Sequence, residues 1–148
     1  MIIITHLLAT LLVVKVFTVS DTIEMFLCLL FGVFIDMDEL FTTFVELKKS
    51  KNFGVFRKNY IKFGVKRRTW IQESGGLAIS LSISIFLGKF TPFIANFVHC
   101  LLDWSSYYRS QPLAPFYNRL ETRGFIKTLS LEEFLIIFFL LFLYLCFA

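Results

Sequence analysis

Apolar residues run along this chain in long stretches interrupted by polar or turn-forming breaks, and the breaks define five helices. The first apolar stretch, Ile2–Phe17, ends before Ser20-Asp21-Thr22, which reads as a helix N-cap with Glu24 in the first turn of the next helix. That second helix is predicted over Ile23–Ile35, and Phe41–Leu47 is a mixed apolar and polar extension beyond it. Trp70–Trp104 is too long for one element and is broken by Gly88-Lys89-Phe90-Thr91-Pro92. Gly and Pro form turns, and Lys89 would be costly in the middle of an apolar span, so the stretch divides into Ile71–Leu87 and Phe93–Trp104 joined by a tight hairpin. A fifth helix is predicted over Leu131–Phe147, with Ser130 as N-cap and Glu132 and Glu133 in its first turn.

Composition changes the environment expected for these helices. The chain has 148 residues, is 57% hydrophobic and carries 20 Phe, above the ~45–50% apolar content usual for soluble domains. The fold expected is therefore all-α, a polytopic membrane bundle of about five helices forming a single integral membrane domain over residues 1–148. Met1–Leu12 has no basic leader and no small-x-small cleavage site, and reads as a retained helix. Cys28, Cys100 and Cys146 lie in apolar segments without a C-x-x-C pair, as expected of buried thiols rather than a disulfide or zinc framework.

The net charge of +4 is unevenly spread: nine of the fifteen basic residues fall between Lys48 and Arg68. Four more (Arg109, Arg119, Arg123 and Lys127) lie between Trp104 and Leu129. A multi-pass protein would hold both basic loops on the cytoplasmic side, with membrane lipid as its partner and anionic lipid contacted through Lys48–Arg68. No nucleic-acid partner is expected, and short helices with outward Phe residues suit a homo-oligomer.

Helix parity then brings chemistry to one end of the bundle. His6 starts the first helix, Asp36 and Asp38 close the second, Arg68 and Glu73 flank the start of the third, and His99 and Asp103 close the fourth. His99 and Asp103 are four apart and share a helix face. His6, Asp36, Asp38, His99 and Asp103 offer nitrogen and oxygen ligands without thiolate, a set suited to a divalent ion, Zn²⁺ or Mn²⁺ ahead of Mg²⁺ or Ca²⁺. Asp36 and Asp38 can both serve one site only if the helix ends near Ile35 in an extended or tightly turned backbone. Glu73 is the candidate general base and Arg68 the candidate anion clamp.

These residues give the chain a resemblance to the family of small membrane-bound metal-dependent hydrolases of the LexA-regulated type. Its pieces are Thr5-His6 in the first helix, Gly32-Val33-Phe34-Ile35-Asp36-Met37-Asp38, Arg67-Arg68-Thr69-Trp70-Ile71-Gln72-Glu73-Ser74, His99-Cys100-Leu101-Leu102-Asp103, and Gln111-Pro112-Leu113-Ala114-Pro115-Phe116. Ile35 stands where that family usually has proline, and Arg67 and Gln72 stand where it has histidine. The resemblance implies metal-dependent hydrolysis, here of a lipid or other amphiphilic ester or phosphoester at the cytoplasmic interface. The alternative is a non-catalytic membrane protein with a structural metal or hydrogen-bonded polar cluster and a basic loop that docks lipid or a partner.

Overall fold

The computed structural model describes residues 3–37, 48, 70–107, 109–110, 112–113, 116, 122–126 and 130–147. Asp38, Arg68, the extension Phe41–Leu47 and all of the basic segment except Lys48 lie outside them. Among the described residues the architecture is helical, with α1 (Ile3–Val16), α2 (Thr22–Gly32), α3 (Ser74–Leu87), α4 (Thr91–Ser105) and α5 (Leu131–Cys146). Two 3-10 turns, Phe34–Asp36 and Trp70–Gln72, follow α2 and precede α3. Helix α4 packs against α1, α2 and α3, while α5 lies on α1.

The breaks are made by local chemistry. Asp21 Oδ1 accepts from the Ile23 amide at 2.9 Å and starts α2, and Ser130 Oγ accepts from the Glu133 amide at 3.4 Å and starts α5. Helix α3 ends at Gly88, whose φ of 65° is left-handed, and the Lys89 amide reaches back to the Ser84 carbonyl at 2.9 Å. Pro92 lies in the first turn of α4, where its missing N–H leaves no bond unmade. The Phe93 amide donates to Ser84 Oγ at 3.2 Å, so a side chain of α3 satisfies the start of α4. After α4 the chain forms a two-residue-per-strand ribbon, β1 (Arg109–Ser110) antiparallel to β2 (Thr122–Arg123). The segment following β2 returns to the end of α4: Phe125 N donates to Ser105 O at 3.0 Å and Tyr107 N to Ile126 O at 2.8 Å. That stitch fixes the turn of α4 that carries Asp103.

The expectation of a multi-pass integral membrane protein with cytoplasmic basic loops is overturned. Among the described residues no helix is long and apolar enough to cross a membrane. The longest, α5, has 16 residues, a rise of about 24 Å against a hydrocarbon thickness of about 30 Å. The hydropathy that suggested spans comes from large side chains on the outside of short helices, among them Phe86, Phe138 and Phe142. The apolar core is small, built on Val13, Cys28 and Ala95 with Val14, Ile94 and Val98 packed on it. Much of the remaining interior is polar and hydrogen-bonded, as at Asn96, whose Nδ2 donates to Ser80 Oγ at 3.0 Å. Cys28 and Cys100 are buried thiols, but Cys146, at the last turn of α5, is exposed.

At one end of the bundle, Lys89 from the α3–α4 turn pairs with Asp21 and lies 3.3 Å from Glu24 Oε2. The hydrogen bond from Lys89 holds the Asp21 carboxyl below its usual range, and the same bond pushes the Lys89 ammonium up. The Asp21 contribution to stability is therefore complete above the ordinary carboxylate range, about 3.9, and is lost as pH falls through the lower folded value. The Lys89 contribution is lost only as pH rises through its raised folded value. Lys89→Met is expected to lower the melting temperature near neutral pH, with the deficit shrinking between about pH 5 and pH 2. A deficit that persists unchanged at pH 2 in parallel thermal melts would show that packing, not charge, is responsible.

Candidate metal centre

The other end of the bundle gathers charge in the interior. Helix α1 contributes His6, the turn after α2 contributes Asp36, and α4 contributes His99 and Asp103, all four buried. One ligand-type atom from each lies within 4.8 Å of the corresponding atom of every other. His6 Nε2 is 3.3 Å from Asp103 Oδ1 and 3.7 Å from Asp36 Oδ2. His99 Nε2 is 3.3 Å from both Asp36 Oδ1 and Asp103 Oδ2. The two imidazole rings lie beside one another, with centroids 4.2 Å apart and planes inclined by 31°.

The sequence builds this arrangement locally. His99 and Asp103 meet because they are one helical turn apart on α4. Asp36 reaches the cluster because α2 stops at Gly32 and the chain tightens into Phe34–Asp36, which turns the carboxylate inward. Gly32 is required for a close approach: a Cβ there would collide with the Thr10 side chain of α1. Its carbonyl is also a fixed point of the site, since His99 Nδ1 lies 3.0 Å from Gly32 O. A carbonyl oxygen can only accept, so Nδ1 carries the proton and the Nε2 of a neutral His99 presents its lone pair to two carboxylates.

The four residues form a group that could hold a cation. Burial opposes protonation of His99, but Asp103 and Asp36 outweigh it and push the group up to about 10. Burial and the neighbouring His99 hold His6 below its ordinary value, against the pull of Asp103 and Asp36. Asp36 and Asp103 both lie against the His99 ring, and among the described residues the ring nitrogens of His6 make no well-aligned hydrogen bond beyond the 3.3 Å approach of Nε2 to Asp103. Two imidazoles and two carboxylates are a donor set that could hold a divalent cation. The four N···O contacts of 3.3 to 3.7 Å use both oxygens of each carboxylate, and one donor atom from each residue lies within 4.8 Å of the others, close enough for the four to share one ion.

No family model, curated protein or solved structure matches this chain. The site is therefore read from its own residues. Of the metal ligands expected from sequence, His6, Asp36, His99 and Asp103 come together, and Asp38 lies outside the described residues, as does Arg68. Glu73 is buried at the start of α3, outside the group of four, and its Oε2 accepts from Trp104 Nε1 at 2.6 Å.

Two polar residues at this end were not singled out as site members by sequence reasoning. Gln72, which stands at a position where the resemblance expects histidine, donates from Nε2 to Asp36 Oδ1 at 3.2 Å. Glu133 is buried rather than displayed on the first turn of α5, and Thr5 Oγ1, beside His6, donates to its Oε1 at 3.4 Å. The signal for Glu133 was its position three residues after Ser130. That spacing marks a capping box and gives no hint that the carboxylate turns toward α1.

Proposed function

We propose that this chain is a metal-dependent hydrolase of an amphiphilic ester or phosphoester, with Zn²⁺ or Mn²⁺ held by His6, Asp36, His99 and Asp103. The observation that carries the reading is the buried set of two imidazoles and two carboxylates, each offering a donor atom within 4.8 Å of the others and in N···O contact at 3.3 to 3.7 Å. A divalent ion bound there supplies Lewis acidity toward an ester or phosphoryl oxygen. The protein supplies orientation: Gly32 O fixes the His99 ring, and Gln72 holds the Asp36 carboxylate. The motif resemblance from Thr5 to Phe116 supports the same reaction class.

Access is at Asp36, the most exposed of the four and the partner in the longest of these N···O contacts, 3.7 Å to His6. The exposed side chains next to these ligands and to Gln72 in sequence are apolar: Phe34 and Met37 lie on either side of Asp36, Leu7 follows His6 and Ile71 precedes Gln72. A rim of that chemistry favours a substrate with a hydrocarbon portion. Glu73 and Arg68 remain the proposed base and anion clamp.

Burial favours a second reading, a closed structural metal centre, because structural sites use four protein ligands and catalytic ones keep a position open. One experiment separates the two. Protein stripped by chelator and reloaded with Zn²⁺ or Mn²⁺ is analysed for metal content and assayed on p-nitrophenyl esters and phosphodiesters of increasing acyl length. The hydrolase reading expects about one metal per chain, turnover that depends on it, and kcat/KM rising with chain length. Stoichiometric metal without turnover on any of the series leaves the structural centre; no metal uptake removes both.

A further inference from the structure

Asp36 is held by its own element more loosely than the other three ligands. His6, His99 and Asp103 ride on α-helices of 14 and 15 residues, whereas Asp36 ends a three-residue 3-10 turn. Its amide reaches Val33 O at a long 3.3 Å, and such turns have poorer hydrogen bonds than an α-helix. A carboxylate on that turn needs a hold from elsewhere if one oxygen is to stay on the cluster.

Gln72 provides it from another part of the chain. Its buried Nε2 lies 3.2 Å from Asp36 Oδ1 and 3.4 Å from Ile35 O, so one amide grips both the carboxylate and the backbone that presents it. The two N–H bonds of a carboxamide suit two acceptors, and the group adds no charge to a cluster that already holds two carboxylates. Gln72 is itself anchored. The Cys100 thiol, one residue from His99, donates to the Gln72 carbonyl at 3.6 Å. The turn carrying Gln72 sits on Gly76, where a Cβ would collide with the Ile71 carbonyl.

We infer that Gln72 is the positioning residue of this metal centre, its carboxamide setting the rotation of Asp36 so that Oδ1 stays on His99 Nε2. Asp36 Oδ1 is the atom common to both contacts, at 3.2 Å from Gln72 Nε2 and 3.3 Å from His99 Nε2. The inference rests on the metal reading above and adds the residue that fixes its loosest ligand.

The test is a Co²⁺ titration of the chelator-stripped full chain, read by visible ligand-field absorption, beside Gln72→Met and Gln72→His. Gln72→Met keeps the volume and removes the donor; it is expected to weaken Co²⁺ binding 10- to 100-fold and to shift the band. Gln72→His returns a buried N–H and is expected to restore affinity to within about threefold of the parent or better. Parent-level affinity and an unshifted band in Gln72→Met overturn the inference alone. A Gln72→His variant as weak as Gln72→Met does the same, since packing rather than the donor would then be responsible. A parent chain that takes up no Co²⁺ overturns the metal reading and this inference together. If Gln72→Met does not fold, Gln72→Asn keeps a buried amide but draws it back by one methylene, and parent-level affinity in that variant overturns the inference.

Discussion

In the His99→Ala variant, affinity for Zn²⁺ or Mn²⁺ is expected to fall by roughly 10²–10³-fold, and metal-dependent turnover to disappear with it. The magnitude follows from sharing the ~10–16 kcal/mol apparent binding energy of a four-ligand structural zinc site among its ligands, about 2.5–4 kcal/mol each. His99 is the ligand to remove because three features converge on it. Its Nδ1 is fixed by Gly32 O at 3.0 Å, and its Nε2 sits 3.3 Å from both carboxylates. In the metal-free chain it also carries the charge that Asp36 and Asp103 face. Deleting the ring therefore leaves two buried carboxylates without that partner, a change that costs about 3–5 kcal/mol. At this chain length that is roughly 6–20 °C in melting temperature. Asp103→Asn separates the two effects. It keeps the shape and a polar group but removes one anionic ligand, so metal affinity should fall while the metal-free protein melts closer to the parent. Isothermal titration of both variants with Zn²⁺ is the measurement; unchanged affinity in His99→Ala would dismiss the centre.

Much of the site end was legible because topology depends on parity more than on detail. Five alternating helices with a break at Gly88–Pro92 place the start of α1, the end of α2, the start of α3 and the end of α4 together, whatever their tilts. The caps were legible for a related reason: Asp21 and Ser130 act within two or three residues of themselves. Quantities that depend on neighbouring helices were less visible. Mean hydropathy counts Phe138 and Phe142 as it would count core residues, although both point outward, so it suggested membrane spans that helices of 11 to 16 residues do not supply. Gln72 and Glu133 are polar residues that a sequence pattern places at helix starts on the surface. Their burial follows from the approach of α1 and of the Phe34–Asp36 turn. The end of α2 was expected near Ile35, and the helix stops three residues earlier, at Gly32, because the chain there must pass Thr10 and offer its carbonyl to His99.

Chelation of the metal-loaded chain is expected to lower its melting temperature by about 5–11 °C. A ligand that binds only the folded state stabilises it by RT ln(1 + [L]/Kd), about 2.7 kcal/mol at a hundredfold excess over Kd. For a chain of this length each kcal/mol is about 2–4 °C. The argument for a folded-state preference is geometric. The four donors come from α1, from the turn after α2 and from α4, with His6 and Asp103 almost a hundred residues apart in sequence, so the unfolded chain has no equivalent site. Binding also reaches the fold broadly, because α4 is the helix that α1, α2 and α3 all pack against. The loss on chelation should be reversed by Zn²⁺ and should be absent from His6→Gln, His99→Gln, which retains polar side chains but loses both imidazoles. A parent chain whose melt is identical with and without chelator, after metal loading has been verified by elemental analysis, would mean the ion sits outside this cluster. The imidazolium of His99 and the amide of Gln72 would then be among the groups that balance the interior carboxylates, and the end of the bundle would be a hydrogen-bonded polar knot.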